Sequence, residues 1–428
     1  MHVITTRWSW NRWVAAGTAA FIGAFGWTDV ARADAVTDWH EIAANTLCTA
    51  STPERGPSTI VDVAIVHVAM YDAVQAIGGK YKPYHAQIIG ASGSPEAATA
   101  KAAHDTLANL FPTKAADLGT SYKEYLTKKG LKEDDPGVAV GQKAAADNLA
   151  LRADDGRAPN PMPAAFLGEN AVGKWRTTPP QSGYYAQMAA QWLGAAKPFV
   201  IQNGSQFRAP TPPALTSERY AKDYNEVKGV GAATNSTRTP EQTELANFYR
   251  SEYLCPIFQQ IPRDIAKAQS KSIDDSSRLL ALVSMAIADT AITVWDSKKH
   301  FLLWRPITAI QQGENDGNPA TAGDLAWQPF LTTPPYPDYT SGGNGVTGSM
   351  TRMLELVFGK DDVAFTVMSP SKEATQTTKN YSRFSDLAKD MVDVRIYQGL
   401  HFRFADEASR DQGKQVADVV FKNVGAPK

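Results

Sequence analysis

The chain has 428 residues, enough for one large domain or two ordinary domains with a substantial core. Hydrophobic residues make up 43% of it and charged residues 20%, which is the composition of a soluble globular protein and excludes a largely disordered one. The formal net charge of -1 gives no global attraction to nucleic acid or to an anionic membrane surface, so any electrostatic recognition must be local.

The N-terminal stretch has the pattern of a secretion signal. Arg7 and Arg12 precede an apolar run of small residues, and an A-x-A cleavage pattern ends at Ala33. We therefore expect a signal peptide at 1–33 and a mature protein that is secreted or periplasmic. The apolar run is too short to span a bilayer comfortably, and no later run looks long enough to form a stable membrane span.

The chain has two cysteines, Cys48 and Cys255. After export they would meet oxidising conditions and could pair in a disulfide. Spacing alone does not decide between this pair and two buried free thiols, so both interpretations stay open.

Helical periodicity dominates the rest of the chain. Apolar residues, mostly alanine and leucine, recur at the i, i+3 and i+4 spacing of a helix face, and this pattern predicts helices over 58–77, 94–111, 138–155 and 273–300. The last of these runs is nearly apolar through its middle, so we expect a central helix that is covered on most sides. Convincing strands are scarce. KPFVIQ (197–202) is the best candidate, and this stretch could be only an extended connector.

Two further stretches complete this organisation. The segment from about Pro159 to Pro213 is rich in proline, glycine, glutamine and aromatic residues, which is typical of a long irregular excursion. Farther on, Thr239 and Pro240 predict a helix start, with the threonine as its cap and the proline in its first turn. The pattern as a whole predicts an all-α fold with long functional loops.

The first candidate site motif is KKHFLLWRP, at the end of the predicted central helix. Lys298 and Arg305 are seven residues apart, so they would share a face if the helix continued, and Pro306 would stop it just beyond. An isolated pair of this kind is usually two surface cations. Here the apolar residues between them indicate burial, and a buried cation needs an anion or another partner.

The second motif is PPYPDYTSGGNGVTGSM (334–350), in which a proline-rich approach leads into a glycine-rich loop and then into a helix. Its glycines would let successive backbone N–H groups turn toward one point, and its hydroxyl side chains add donors. The residues concerned are Gly342, Gly343 and Gly345 with Thr340, Ser341 and Thr347. A loop of this kind at a helix N-terminus is a ready oxyanion site, although such loops are also common without a ligand.

The third motif is RIYQGLHF, which follows a predicted helix with a buried stripe. Arg395 and His401 are six residues apart, which would place them on different faces of a continuous helix. A break at Gly399 would let both side chains point into one cavity. A lone histidine is more often structural than catalytic, but three polar or cationic motifs beside helix ends together suggest a multi-arginine pocket for a tetrahedral oxyanion.

The order of these motifs resembles a known signature. Lys-x6-Arg-Pro, then Ser-Gly, then Arg-x5-His is similar to the vanadium-dependent haloperoxidases and to their relatives, the type 2 phosphatidic acid phosphatases. Other stretches, among them VHVAMYDAVQAIGGKYKPY, TRTPEQTELANFY and DGNPAT, resemble the bacterial secreted branch of the haloperoxidase-like proteins. The resemblance covers nearly all of the mature chain and implies a helical bundle. It implies one domain at 34–428, with N-terminal helices in 34–272 and the oxyanion site in 273–428.

Matched residue by residue, the resemblance implies the roles of the site. Lys298, Arg305 and Arg395 would neutralise the oxygens of bound vanadate, with phosphate as a competing occupant, and would act together with His401 as the catalytic residues. His401 would be the metal ligand, bound to vanadium, or the nucleophile toward phosphorus in a phosphatase. Both roles need one ring nitrogen with a free lone pair and a neighbour that orients the other nitrogen.

The same matching makes the glycine-rich loop part of the cofactor site. Ser341 and the backbone N–H of Gly342 would donate hydrogen bonds to the oxyanion. The implied cofactor-binding set is Lys298, Arg305, Ser341, Gly342, Gly343, Arg395 and His401. The sequence departs from the family at Gly343, where the family has a histidine that transfers protons, a role that contributes about 10² to 10⁴-fold in rate. A second departure is that the acidic residue expected four places after His401 falls one place late, at Asp406.

Four functions remain open from the sequence. The first is a vanadate-dependent haloperoxidase-like oxidoreductase that uses hydrogen peroxide to oxidise halide, with activity altered by Gly343. The second is a secreted acid phosphatase that acts on a phosphate ester through a phosphohistidine at His401. The third is a non-catalytic oxyanion-binding homologue. The fourth is a purely structural helical protein, in which buried cations in three motifs would be unfavourable without a ligand.

Overall fold

The computed structural model of the protein describes residues 34–48, 56–251 and 254–428. The expected signal peptide at 1–33 lies outside these residues. The described residues form thirteen α-helices and one small antiparallel sheet, so the predicted all-α class is confirmed. The helices are α1 (Ala35–Leu47), α2 (Thr59–Gly78), α3 (Pro95–Leu110), α4 (Ala115–Lys129), α5 (Pro136–Leu151), α6 (Glu218–Val230), α7 (Pro240–Phe248), α8 (Cys255–Ala268), α9 (Ile273–Phe301), α10 (Pro306–Gln311), α11 (Gly342–Phe358), α12 (Phe384–Tyr397) and α13 (Arg403–Asn423), and the strands are β1 (Phe365–Met368) and β2 (Thr378–Tyr381).

Helix α9 lies at the centre of the larger hydrophobic core. Ser272 caps it, since the Ser272 side chain accepts a hydrogen bond from the Asp275 N–H, and the helix then runs for 29 residues. It packs against α2, α11 and α13, and nearly all of its middle is buried. The prediction of a covered central helix is therefore confirmed.

Two helical stretches are long and apolar enough to cross a membrane by length and composition alone, Gly56–Gly78 and Ile273–Phe301. The expectation that no run after the N-terminus has this length was wrong. Of their most apolar windows, 83% and 94% respectively are buried inside the protein. Core helices that are covered on all sides have this same composition.

The other predicted helices are present as α2, α3 and α5, and the predicted start of α7 is confirmed. Thr239 and Gln242 form a capping box there: the Thr239 hydroxyl accepts from the Gln242 N–H, and the Gln242 side chain accepts from the Thr239 N–H. The predicted irregular excursion lies between α5 and α6, where the regular structure is limited to the 3₁₀ turns Gly183–Ala186 and Leu193–Ala195.

The best strand candidate, KPFVIQ, forms a connector and no strand, and residues 199–202 are bent. The N–H groups of Phe199, Val200 and Ile201 all donate to the carboxylate of Asp289 on α9, at 2.6, 2.8 and 3.0 Å. Because one buried side chain satisfies three successive backbone donors, this connector needs no partner strand.

A disulfide and a second core complete the fold. Cys48 and Cys255 form a disulfide across 207 residues of sequence, so the paired alternative is the one that the structure has. A second, smaller core includes Trp304, Tyr339 and Phe402. Each of these rings is adjacent or nearly adjacent in sequence to a candidate site residue, so this core positions the backbone that carries the site.

Candidate oxyanion site

Lys298 and Arg305 come from two successive helices rather than from one. Helix α9 ends at Phe301, and Leu302 adopts a left-handed conformation (φ 52°) that turns the chain. Arg305 then caps α10, and Pro306 is the first residue of that helix, a position that proline favours. The expectation that one helix carries both cations and stops at Pro306 was therefore wrong. Both side chains are nevertheless fully buried.

The glycine-rich loop is already the first turn of α11. Ser341 is the N-cap residue, and Gly342 and Gly343 are helical. The N–H groups of this turn have no carbonyl partner within the helix, and they carry the partial positive charge of a helix N-terminus. The backbone therefore presents donors to an anion, as expected, but as a helix end rather than as a flexible loop.

Gly345 has a packing role instead of the expected place in the anion loop. Its N–H donates to the Ser341 carbonyl inside the helix (3.1 Å). A Cβ on Gly345 would lie 2.7 Å from Ser409 Oγ and 2.8 Å from Val294 Cγ2. Glycine is needed here because α9, α11 and α13 approach each other closely at this point.

The three hydroxyl groups that were expected to be donors differ in their hydrogen-bond partners. Thr340 donates to Gln412 Oε1 (2.6 Å), and Thr347 donates to the Gly343 carbonyl (2.9 Å). Ser341 Oγ is buried and makes no hydrogen bond of regular geometry in the described part of the chain, although it lies near enough to the Asp406 carboxyl to lower the pKa of that group. Of the three, Ser341 is thus the hydroxyl that remains available to a ligand.

A turn after α12 brings Arg395 and His401 together. The helix ends at Tyr397, and Gly399 takes a left-handed conformation (φ 76°) where its Cα packs against Gly231 and Pro329. The predicted break at Gly399 is confirmed. Both Arg395 and His401 are buried, with 5% and 1% of their surface exposed.

His401 is oriented by Asp338, a partner that the sequence motifs did not identify. His401 Nδ1 lies 2.7 Å from Asp338 Oδ1, and His401 Nε2 lies 3.1 Å from Arg305 Nη1. A guanidinium group can only donate, so Nε2 accepts, and the ring proton is on Nδ1, which donates to Asp338. The ring therefore carries its lone pair on Nε2, where it accepts from Arg305, and its other nitrogen is held by a carboxylate.

Asp406 lies elsewhere in the site. Its Oδ1 accepts a hydrogen bond from Asn344 Nδ2 (2.7 Å), on the first turn of α11. Burial raises the pKa of Asp406 well above its ordinary value, while the Ser341 side chain acts in the opposite direction. The acid that falls one place late in the motif thus supports the α11 turn, and Asp338 takes over the support of His401.

Burial and like charges destabilise the protonated states of the basic groups. Burial lowers the pKa of Lys298 well below its ordinary value, and Arg305 lowers it further. The pKa of His401 is also lowered well below its ordinary value, first by burial and then by Arg305 and Lys298. Burial raises the pKa of Asp338 to about 7, although these same two cations oppose the shift. A bound anion would favour the charged form of each cation.

Two of the buried cations have donors left over. Arg305 Nη2 and Arg395 Nε are buried without a hydrogen-bond partner among the described residues. The other Arg305 donors bond to the Tyr336 carbonyl (2.7 Å) and the Leu400 carbonyl (2.8 Å), and Lys298 Nζ donates to the Pro337 carbonyl (2.6 Å). Backbone carbonyls thus hold the side chains in place, and part of each guanidinium is left for another acceptor.

Tyr336 is a further residue that the motifs missed. Lys298 Nζ and the Arg305 guanidinium both lie 4.9 Å from the centroid of its ring. The electron-rich face of the ring therefore offsets part of the charge of both cations. Its place two residues before Asp338, inside the proline-rich approach, is a local signal that could have drawn attention to it.

The comparisons with known proteins point to one group. Residues 278–426, which include every candidate site residue, match the sequence model of the VCPO second helical-bundle domain. Over these residues the sequence is similar to that family domain. Three solved structures share its fold: the first bacterial vanadium-dependent iodoperoxidase (TM-score 0.75, 22% identity, 91% of this chain and 96% of that one), a holo-type bacterial vanadium-dependent chloroperoxidase (0.72, 19%, 92% and 98%) and an apo-type one (0.70, 18%, 86% and 94%). No curated protein sequence matches the chain.

The donor set of the site fits a tetrahedral oxyanion such as vanadate. Among the described residues, Arg305, Arg395 and Ser341 have buried donors without an acceptor, and the oxygens of vanadate would supply acceptors. Within the described ranges, no group of three or more His, Cys, Asp and Glu side chains could hold a bare metal ion.

Proposed function

We propose that the protein is a vanadate-dependent oxidoreductase that uses hydrogen peroxide to oxidise halide, with activity altered by Gly343. The observation that carries the proposal is a set of donors of Arg305, Arg395 and Ser341 that are buried without a hydrogen-bond partner among the described residues, beside a histidine that carries its lone pair on Nε2. The structural neighbours, an iodoperoxidase and two chloroperoxidases that are vanadium-dependent, support vanadate as the occupant.

Bound vanadate would supply a Lewis acid that activates hydrogen peroxide. The protein's own part is to bind and orient. Lys298, Arg305 and Arg395 neutralise negative charge in a buried place where charge-assisted hydrogen bonds are strong. Asp338 keeps the proton of His401 on Nδ1, so that Nε2 presents its lone pair to the metal.

The proposed alteration concerns proton transfer at position 343. Glycine has no side chain to donate or accept a proton, and a general acid or base contributes about 10² to 10⁴-fold in rate. Gly343 is helical rather than left-handed, so the backbone there accepts other residues. We expect Gly343→His to raise halide oxidation, by up to about 10²-fold.

Loading with vanadate tests the proposal. After dialysis against vanadate, we expect about one vanadium per chain by elemental analysis, and triiodide formation from iodide and hydrogen peroxide that depends on it. Added phosphate should displace vanadium, because both oxyanions need the same donors. Additive, independent binding of the two anions would contradict the single site. Full vanadium loading without triiodide formation would contradict the proposed halide oxidation.

An acid phosphatase is the second candidate, and the His401–Asp338 pair favours it. A neutral imidazole that carries its lone pair on Nε2 and is oriented by a carboxylate is the form in which histidine attacks phosphorus. Without an acid at Gly343 the reaction would depend on a good leaving group. We would then expect turnover of nitrophenyl phosphate and a phosphohistidine that His401→Ala abolishes. Phosphate binding with neither activity would identify a non-catalytic oxyanion-binding protein.

A further inference from the structure

A cavity of about 270 Å³ lies directly against the oxyanion site. Gly342, Gly343 and Arg395 form part of its wall, so the cavity is continuous with the first turn of α11 and with one of the site cations. Aromatic rings supply much of the remaining wall: those of Tyr184, Tyr185, Phe258, Trp295 and Tyr336.

Position 343 decides how much of this space is open. A Cβ on Gly343 would lie 3.1 Å from Leu254 Cδ1 and 3.9 Å from Arg395 Nε. Leu254 is itself part of the cavity wall, so any side chain at 343 would begin in contact with a neighbouring part of that wall. Glycine therefore does more than remove an acid–base group, because it also leaves room beside the oxyanion donors.

The size and lining of the cavity suit an aromatic ring. An apolar cavity of about 150 Å³ is enough to hold benzene, so about 270 Å³ has room for a ring with substituents. The existing rings already pack against one another at the wall, with Tyr184 and Tyr185 edge to face at 5.3 Å and Trp295 tilted against Tyr336 at 5.1 Å. Such surfaces favour edge-to-face or offset contacts with another ring.

We propose that this cavity binds the aryl group of the substrate next to the bound oxyanion, and that Gly343 is the specificity-determining residue that admits it. The proposal rests on the proposed function only in requiring that an oxyanion occupies the site. An aryl group has two sources in that chemistry. It is either the alcohol part of an aryl phosphate ester or a free phenol that accepts halogen beside the oxyanion.

Phosphonates test the proposal without any turnover. Calorimetric titration compares phenylphosphonate with methylphosphonate, each also in competition with inorganic phosphate. We expect the protein to prefer phenylphosphonate by about tenfold to hundredfold, the effect of burying one ring. Equal affinity for the two phosphonates, both displaced by phosphate, would overturn the aryl proposal and leave the oxyanion site intact.

Two variants fill the cavity from two neighbouring positions of its wall. In Gly343→His and in Leu254→Trp, the ratio of phenylphosphonate to methylphosphonate affinity should fall toward one, and Leu254→Trp should leave phosphate affinity unchanged. Gly119→His is the matched control, since Gly119 is also helical, has room for a Cβ and lies far away on α4. Thermal melting confirms that each variant is folded. A preference retained in both variants would overturn the proposal.

A phenol titration separates the two sources. If phenol binds to protein that is saturated with phosphate, and Leu254→Trp abolishes this binding, the cavity takes a free aromatic substrate. If phenylphosphonate binds tightly and phenol does not bind, the aryl group belongs to a phosphate ester. If neither phenylphosphonate preference nor phenol binding is found, the proposal fails. None of these results depends on halide oxidation, so the triiodide measurement tests the proposed halide oxidation separately.

Discussion

Helix α9 carries two buried charged residues with opposite surroundings, Asp289 in its middle and Lys298 near its end. Both Asp289 oxygens accept backbone N–H groups from one neighbouring segment, at 2.6 to 3.0 Å. At the end of the helix, Lys298 lies in a group of cations in which Arg305 and Arg395 keep unpartnered donors. The first region is complete without a ligand, and the second lacks acceptors that an oxyanion would provide.

The pKa shifts of the two regions follow the same division. Burial raises the pKa of Asp289 to about 6, and its three backbone donors with Arg152 oppose the shift. For Lys298 the largest effect is also burial, but the next is repulsion by Arg305, so both act in one direction. Asp338 and Asp406 oppose these two effects without outweighing them, so we expect Lys298 to gain most from a bound partner of opposite sign.

His401→Ala is expected to give the largest change, a complete loss of stoichiometric vanadium. The variant removes the protein ligand proposed for the metal, while Lys298, Arg305 and Arg395 still attract phosphate. Elemental analysis after dialysis measures the metal, and calorimetry measures phosphate affinity. His300→Ala is the control, since His300 is an exposed histidine on the last turn of α9. Equal vanadium content in both variants would show that His401 is not the ligand.

Asp289→Ala is expected to destabilise the protein by about 3 kcal/mol or more, because three buried N–H groups lose their acceptor at about 1 to 3 kcal/mol each. Phosphate affinity should stay unchanged in the folded protein. Asp289→Asn, which keeps one acceptor oxygen, should lose less stability. Urea unfolding measures the free energy, and a loss below about 1 kcal/mol would mean that this segment is not held by the carboxylate.

We expect the variants Lys298→Ala and Arg395→Ala to leave the protein folded, unlike Asp289→Ala. Each should weaken oxyanion binding by about 1.5 to 3 kcal/mol, the range of hydrogen bonds to charged groups. Removing one cation from a crowded group also relieves repulsion in the ligand-free protein. Lys299→Ala is the control, because Lys299 is exposed next to Lys298. A variant that unfolds while its native fraction keeps full affinity would assign that cation a structural role.

The sequence predicted the features that depend on local patterns. Apolar periodicity located α9, and the Thr239 cap located the start of α7. The three candidate site motifs were found because cations within apolar surroundings and a glycine-rich loop before a helix are visible in the sequence itself. What the sequence missed depends on contacts between distant segments, such as the 63-residue separation of Asp338 and His401. No periodicity reports a contact of that kind.

Two errors have a common local cause. Pro306 was interpreted as a helix stop, whereas proline at the first position of a helix marks a start, and the chain had already turned at Leu302. KPFVIQ was the best strand candidate because its composition favours extended backbone, but residues 199–202 are bent. The partner of that backbone is the side chain of Asp289 rather than another strand, a choice that composition cannot distinguish.

Asp338→Asn is expected to give the smallest change, a loss of about tenfold in vanadate affinity, the low end for residues that orient a metal ligand.

The variant also tests the pKa of Asp338, which burial raises to about 7, above its value of about 3.9 in an unfolded chain. A raised carboxyl pKa contributes stability that is present below about pH 4 and is lost as the pH rises through about 7. The variant lacks this loss, so its free energy of unfolding relative to the original protein should rise across that window and then level off. Urea unfolding at a series of pH values measures the difference, and parallel curves for the two proteins would mean that Asp338 does not titrate there.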